Sequence, residues 1–103
     1  MEGNFMYAVV RETFYSPDEP FYNTEGFKEF DRKHSSLYGY RGSVVVEAEP
    51  GRFITLTLWQ TREDLAAARE AMAPVVGQFL EPLMTKPAVL IGTGKVVADD
   101  LTN

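Results

Sequence analysis

The sequence predicts an α+β domain of ferredoxin-like, β-α-β-β-α-β order, with one antiparallel sheet and both helices on one side of it. Three observations carry this. "SVVVEAE" and "RFITLTLW" are two strand-like runs joined by Pro50-Gly51, which makes a hairpin. Apolar residues at helical spacing, Phe27, Phe30, His34 and Leu37 in one stretch and Leu65, Ala68, Met72, Val76, Phe79 and Leu83 in another, flank that hairpin. Strand-like "FMYAVVRETFY" and "AVLIGTGKVV" stand at the outer ends.

Taken in order, the first strand runs into a proline-bearing loop, "SPDEPFYN". Ser16-Pro17-Asp18-Glu19 has the composition of a helical turn, which Pro20 disturbs. The firmer helix start is Asn23 or Thr24, and the glycines of "YGYRG" end the helix. After the hairpin, Thr61 is an N-cap, with Glu63 and Asp64 in the first turn where the helix dipole favours negative charge. Pro74 is expected to kink the second helix or to split it in two. Lys86-Pro87 is expected to end the helical region before the fourth strand, and the tail "ADDLTN" to fray. The 103 residues suit a single domain, 1–103, with one modest core.

The sheet alternation has a consequence. Ile54, Leu56 and Leu58 point one way, and Thr55, Thr57 and the single tryptophan, Trp59, point the other. In the second strand Val44 and Val46 alternate with Val45 and Glu47. Neither face is cleanly polar, yet helices cover only one. A second copy of the chain over the bare face is the simplest remedy, so a homodimer is expected.

Composition excludes several classes. A formal net charge of -5 with no basic run argues against nucleic acid. No apolar stretch is long enough to span a bilayer, and "MEGNFMY" lacks the basic and apolar regions of a signal peptide. There is no cysteine and one histidine, which leaves no cysteine nucleophile and no multi-histidine metal centre in one chain, and fits a cytoplasmic location. No cofactor is expected.

"GYRGSVVVEAEPGRFITLTLWQTREDLAAARE" resembles the antibiotic biosynthesis monooxygenase family of the dimeric α+β barrel superfamily. Tyr40, Gly42, Trp59 and Leu65 fall where that pattern has a glycine turn, a strand ending in Trp, and an alanine-rich helix beside it. The resemblance implies a dimer whose two sheets close into a barrel. It also implies a pocket between sheet and helices in each subunit, and oxygenation of aromatic polyketide-like molecules by molecular oxygen without metal or flavin. Thr55, Thr57 and Trp59 would then face the pocket, and Ile54, Leu56 and Leu58 the barrel. A haem-degrading branch uses an Asn on strand one and a His on the helix after the Trp. Here Val10 stands near the first position, and Ala68, Arg69 and Glu70 supply no histidine, which argues against haem turnover.

Among candidate site residues, Trp59 is either a core residue at a strand end or a pocket wall. His34, one turn after Asp31, is either a partly buried core histidine or an Asp31-oriented base that takes a substrate proton. Arg69 is either solvated or a partner for an anionic substrate oxygen. Thr55, Thr57, Phe30 and Met72 complete the expected substrate wall, and Tyr38 is the tyrosine best placed to offer a phenol to it. Three functions remain open: a cofactor-independent monooxygenase on a small aromatic substrate, a non-catalytic small-molecule-binding or stress-related dimer, and an isomerase or lyase on the same scaffold.

Overall fold

The computed structural model describes residues 6–101. The first two residues of the expected opening strand, Phe5 and Met6, fall outside it: Phe5 is not among the described residues and Met6 is not in a strand. The elements are β1 (Tyr7–Tyr15), a 3₁₀ turn (Phe21–Asn23), α1 (Glu25–Ser35), β2 (Tyr40–Glu49), β3 (Arg52–Trp59), α2 (Arg62–Phe79), a second 3₁₀ turn (Glu81–Leu83) and β4 (Met84–Lys95). The four strands form one antiparallel sheet in the order β2-β3-β1-β4. This is the ferredoxin-like arrangement the sequence predicts.

Local chemistry fixes the element ends. Thr24 caps α1 by accepting a hydrogen bond from the Phe27 N–H at 3.2 Å. Thr61 caps α2 in the same way, accepting from the Asp64 N–H at 2.9 Å. At the hairpin Gly51 takes φ +84°, and its carbonyl accepts from the Tyr15 N–H at 3.0 Å, which ties the turn to the end of β1.

Three expectations about prolines need correction. Pro20 opens a helical turn instead of disturbing one: it is the N-cap of Phe21–Asn23, and Ser16–Glu19 before it closes a separate turn in which the Glu19 N–H donates to the Ser16 carbonyl at 3.4 Å. Pro74 does not split the second helix: α2 runs unbroken from Arg62 to Phe79. Pro74 and Glu70, whose carbonyl loses its partner there, are both exposed, so the freed acceptor stands on the solvent side of the helix. The fourth strand starts at Met84 and contains Pro87. β4 is an edge strand, where a missing N–H costs no ladder bond on the outer side, and its pairing with β1 shifts register between Glu12 and Phe14, opposite Pro87.

The two sheet faces differ as the alternation requires. Val9, Thr13 and Tyr15 of β1 and Phe53, Thr57 and Trp59 of β3 are buried beneath the helices. The other face carries Val10 of β1, paired in register with Leu56, which is paired with Val44. Val44 and Val46 there are 55% and 51% exposed, which leaves that face uncovered in the single chain. At the hairpin end it is rimmed by charge, because Arg52 bonds Glu12 and lies 3.7 Å from Glu49.

Candidate functional site

The core under the helices is not continuous. At one end Val9, Trp59, Leu65 and Ala68 pack together. At the other, Tyr15, Phe21 and Phe53 do, with Tyr15 stacked on Phe21 at 3.9 Å and 9°. Burial in that second cluster pushes the Tyr15 phenol up to about 12. Between the clusters lies a cavity of about 360 Å³. No residue of α1 is fully buried, because its inner stripe overhangs this cavity instead of packing down on the sheet.

The cavity brings together most of the residues singled out in the sequence. Trp59, Thr55 and Thr57 line it from β3, Phe30, Asp31 and His34 from α1, and Arg69 and Met72 from α2. The period of two along β3 and the helical spacing along α1 place these side chains opposite one another. The His34 imidazole lies flat on Phe30 (4.9 Å, 24°) and meets Trp59 edge-on (5.4 Å, 73°).

Tyr38 is not in the site. It is 82% exposed and does not line the cavity. α1 ends at Ser35, so the four-residue step from His34 to Tyr38 no longer follows a helix. Gly39, at φ +85°, then turns the chain. A Cβ there would run into the Asp64 side chain, so only glycine allows this close approach to the start of α2. Tyr40, which does not line the cavity either, packs behind its wall: its ring lies 5.2 Å from His34 and 5.5 Å from Trp59, and its hydroxyl is 3.0 Å from that of Ser43.

Asp31 also departs from expectation. It shares the cavity wall with His34, but no hydrogen bond or ion pair links them. Its charge still acts on the imidazole. Burial lowers the His34 pKa from 6.5, Asp31 opposes that shift, and Arg11 adds to it. The imidazole is therefore neutral at pH 7. Neither it nor the Trp59 N–H has a protein hydrogen-bond partner among the described residues.

A depressed native pKa gives a signed pH dependence. The unfolded chain takes up the proton first as pH falls below about 6.5, so stability declines from there until the native value is reached, and then levels. His34 is the only histidine, so proton NMR of the imidazole should give one titration curve with a midpoint under 6.5. A midpoint at or above that value would mean an open, solvated ring.

Arg11 and Thr13 are cavity-lining residues that the sequence reading passed over. Arg11 and Thr13 share the parity of Val9 on β1, so a charged and a hydroxyl residue on an otherwise buried register was the available signal. Val10, set near the strand-one position of the haem-degrading pattern, points to the far sheet face; Val9 and Arg11 are the residues that reach the cavity. Neither is an asparagine. Among the described residues no group of three or more His, Asp or Glu side chains is placed to hold a metal ion. Among the described residues no helix is long and apolar enough to cross a membrane.

No protein-family model and no curated protein matches the chain. Solved structures do. A protein from Nitrosomonas europaea provisionally named an antibiotic biosynthesis monooxygenase superposes with a TM-score of 0.65 at 22% identity, over 94% of both chains. SnoaB, a cofactor-independent oxygenase from Streptomyces nogalater, superposes with a TM-score of 0.64 at 16% identity, over 95% of this chain and 96% of its own.

The chain has the antibiotic biosynthesis monooxygenase fold.

A protein of unknown function from Nitrosomonas europaea shares the same fold, with a TM-score of 0.74 at 11% identity over 98% of both chains. The fold of these neighbours is thus matched over nearly the whole chain, and the aromatic cavity lies under the two helices.

Proposed function

We propose that the cavity is the active site of a cofactor-independent monooxygenase acting on a small, enolisable aromatic molecule, such as a phenol, quinol or anthrone, in a cytoplasmic homodimer. The observation that carries this is a neutral, unbonded imidazole held among Phe30, Tyr40 and Trp59 at the wall of a 360 Å³ cavity. Aromatic walls suit a flat apolar ring, and the volume suits a small molecule. The cofactor-independent oxygenase SnoaB shares the fold.

His34, neutral at pH 7, takes the proton of the substrate's acidic O–H or C–H. The resulting anion is electron-rich and reacts with dioxygen, forming a C–O–O bond on the substrate carbon. Loss of water from that peroxide leaves a carbonyl, so one oxygen atom ends in product and one in water. The substrate itself supplies both hydrogens and the electrons. The protein contributes a dry site, a base and stabilisation of the anion.

The test is oxygen uptake in air-saturated buffer with a panel of polycyclic quinols and anthrones. Uptake above the uncatalysed rate, with a quinone product and one oxygen atom of labelled dioxygen retained in it, is expected. Proton exchange or isomerised product without uptake would instead favour an isomerase. Tight binding with neither would favour a non-catalytic binding protein.

A further inference from the structure

Arg11 emerges on the cavity wall midway along β1, between the two core clusters, and Arg69 faces the same cavity from α2. The two act on each other. After burial, the charge of Arg69 is the second cause that lowers the Arg11 pKa. Neither guanidinium forms an ion pair or hydrogen bond with any described residue, whereas Arg32 pairs with Glu29 and Arg52 with Glu12. Asp31 and Glu81 are the acidic groups on the same wall, and neither reaches ion-pair distance of Arg11 or Arg69. A third observation lies beside Arg11. The Thr13 hydroxyl is buried with no hydrogen-bond partner among the described residues, on a residue 6% exposed that lines this cavity.

The exposed Arg69 charge facing the partly desolvated Arg11, and a sealed Thr13 hydroxyl without a partner among the described residues, are each unfavourable in an empty site. An anion between the guanidiniums relieves the repulsion and supplies them an acceptor, and a turn of the Thr13 side chain about χ1 brings its sealed hydroxyl to the same acceptor. Guanidinium forks match a planar carboxylate in particular. A single negative charge is favoured over two, because Asp31 and Glu81 share the wall and repel excess charge.

We infer that Arg11, Arg69 and Thr13 form a built anion subsite that receives the carboxylate of an aromatic acid, with the ring lying toward His34 and Trp59. This rests on reading the cavity as a substrate pocket, and it narrows the substrate class to aromatic molecules bearing a carboxylate. The anchor holds one end of the ligand, so that the acidic hydrogen is presented to the imidazole at the other.

Calorimetry with 2-naphthoate, 2-naphthamide and 2-naphthyl phosphate tests it. The acid should bind about 10–100-fold more tightly than the amide of equal shape, which is the usual worth of charge-assisted hydrogen bonds. The phosphate should bind more weakly than the acid. Arg11→Gln and Arg69→Gln should each reduce the acid preference at least several-fold, with Arg11→Lys retaining part of it if the neutral variant folds poorly. Arg41→Gln, at an exposed position outside the cavity, should leave the preference intact. Equal binding of acid and amide, no binding of the acid, tighter binding of the phosphate, or a preference that survives both glutamine variants would each overturn the subsite. The oxygenase reading fails separately. Acid preference without oxygen uptake on any quinol leaves the subsite standing, and oxygen uptake with equal acid and amide binding removes only the subsite.

Discussion

Leu56→Asp is expected to convert the proposed homodimer, of twice the 11.6 kDa chain mass, into monomer, or to unfold it. Leu56 lies near the centre of the uncovered sheet face, paired in register with Val10 on one side and Val44 on the other. A carboxylate there would be buried without a partner in the proposed dimer, at about 3–5 kcal/mol per interface, enough to weaken association by about a hundredfold to a few thousandfold. Sedimentation velocity across a concentration series measures it. A wild-type protein that stays at the single-chain mass at every concentration would remove the dimer altogether. The charged rim of Glu12, Arg52 and Glu49 closes one end of the apolar patch, which is how interface cores are commonly bounded.

The second large effect is on turnover. His34→Ala should lower the rate by about 10²–10⁴-fold if the imidazole is the base, while the protein remains folded. If the ring only packs between Phe30 and Trp59, its loss should instead cost about 1–3 kcal/mol of stability and leave the rate per folded molecule unchanged. For a domain of this size that stability loss shifts the melting temperature by roughly 4–8 °C per kcal/mol. Turnover and melting temperature measured on the one variant therefore give opposite patterns for the two roles.

How far the sequence discloses this molecule depends on which periodicity governs each residue. The element order was readable because the strand alternation, the Thr24 and Thr61 caps and the Pro50-Gly51 turn are all local signals. The meeting of Trp59 with His34 was readable too, since each lies inside a regular element whose period sets its face. Tyr38 was misplaced because it lies three residues beyond the last residue of α1, where helical spacing has stopped and a left-handed glycine takes over. The prolines misled for the opposite reason. Pro74 and Pro87 break local rules, but each stands where solvent or an open strand edge absorbs the missing N–H. Arg11 was legible in principle, and its neighbours Val9 and Thr13 obey the same parity. Its lack of an ionic partner among the described residues was not, because that depends on how far Asp31 and Glu81 reach from other elements.

The register shifts of β4 bear on how this chain behaves when it is crowded or partly unfolded. A strand that slips register three times against β1 and carries Pro87 and Lys86 is a poor template for edge-on addition of another chain. The opposite edge, β2, pairs regularly from Gly42 to Glu47 and presents three exposed valines, Val44 to Val46. Fibril growth through sheet edges would therefore start at β2 and proceed in one direction only, and a charged residue placed at Val45 guards that route without touching β4.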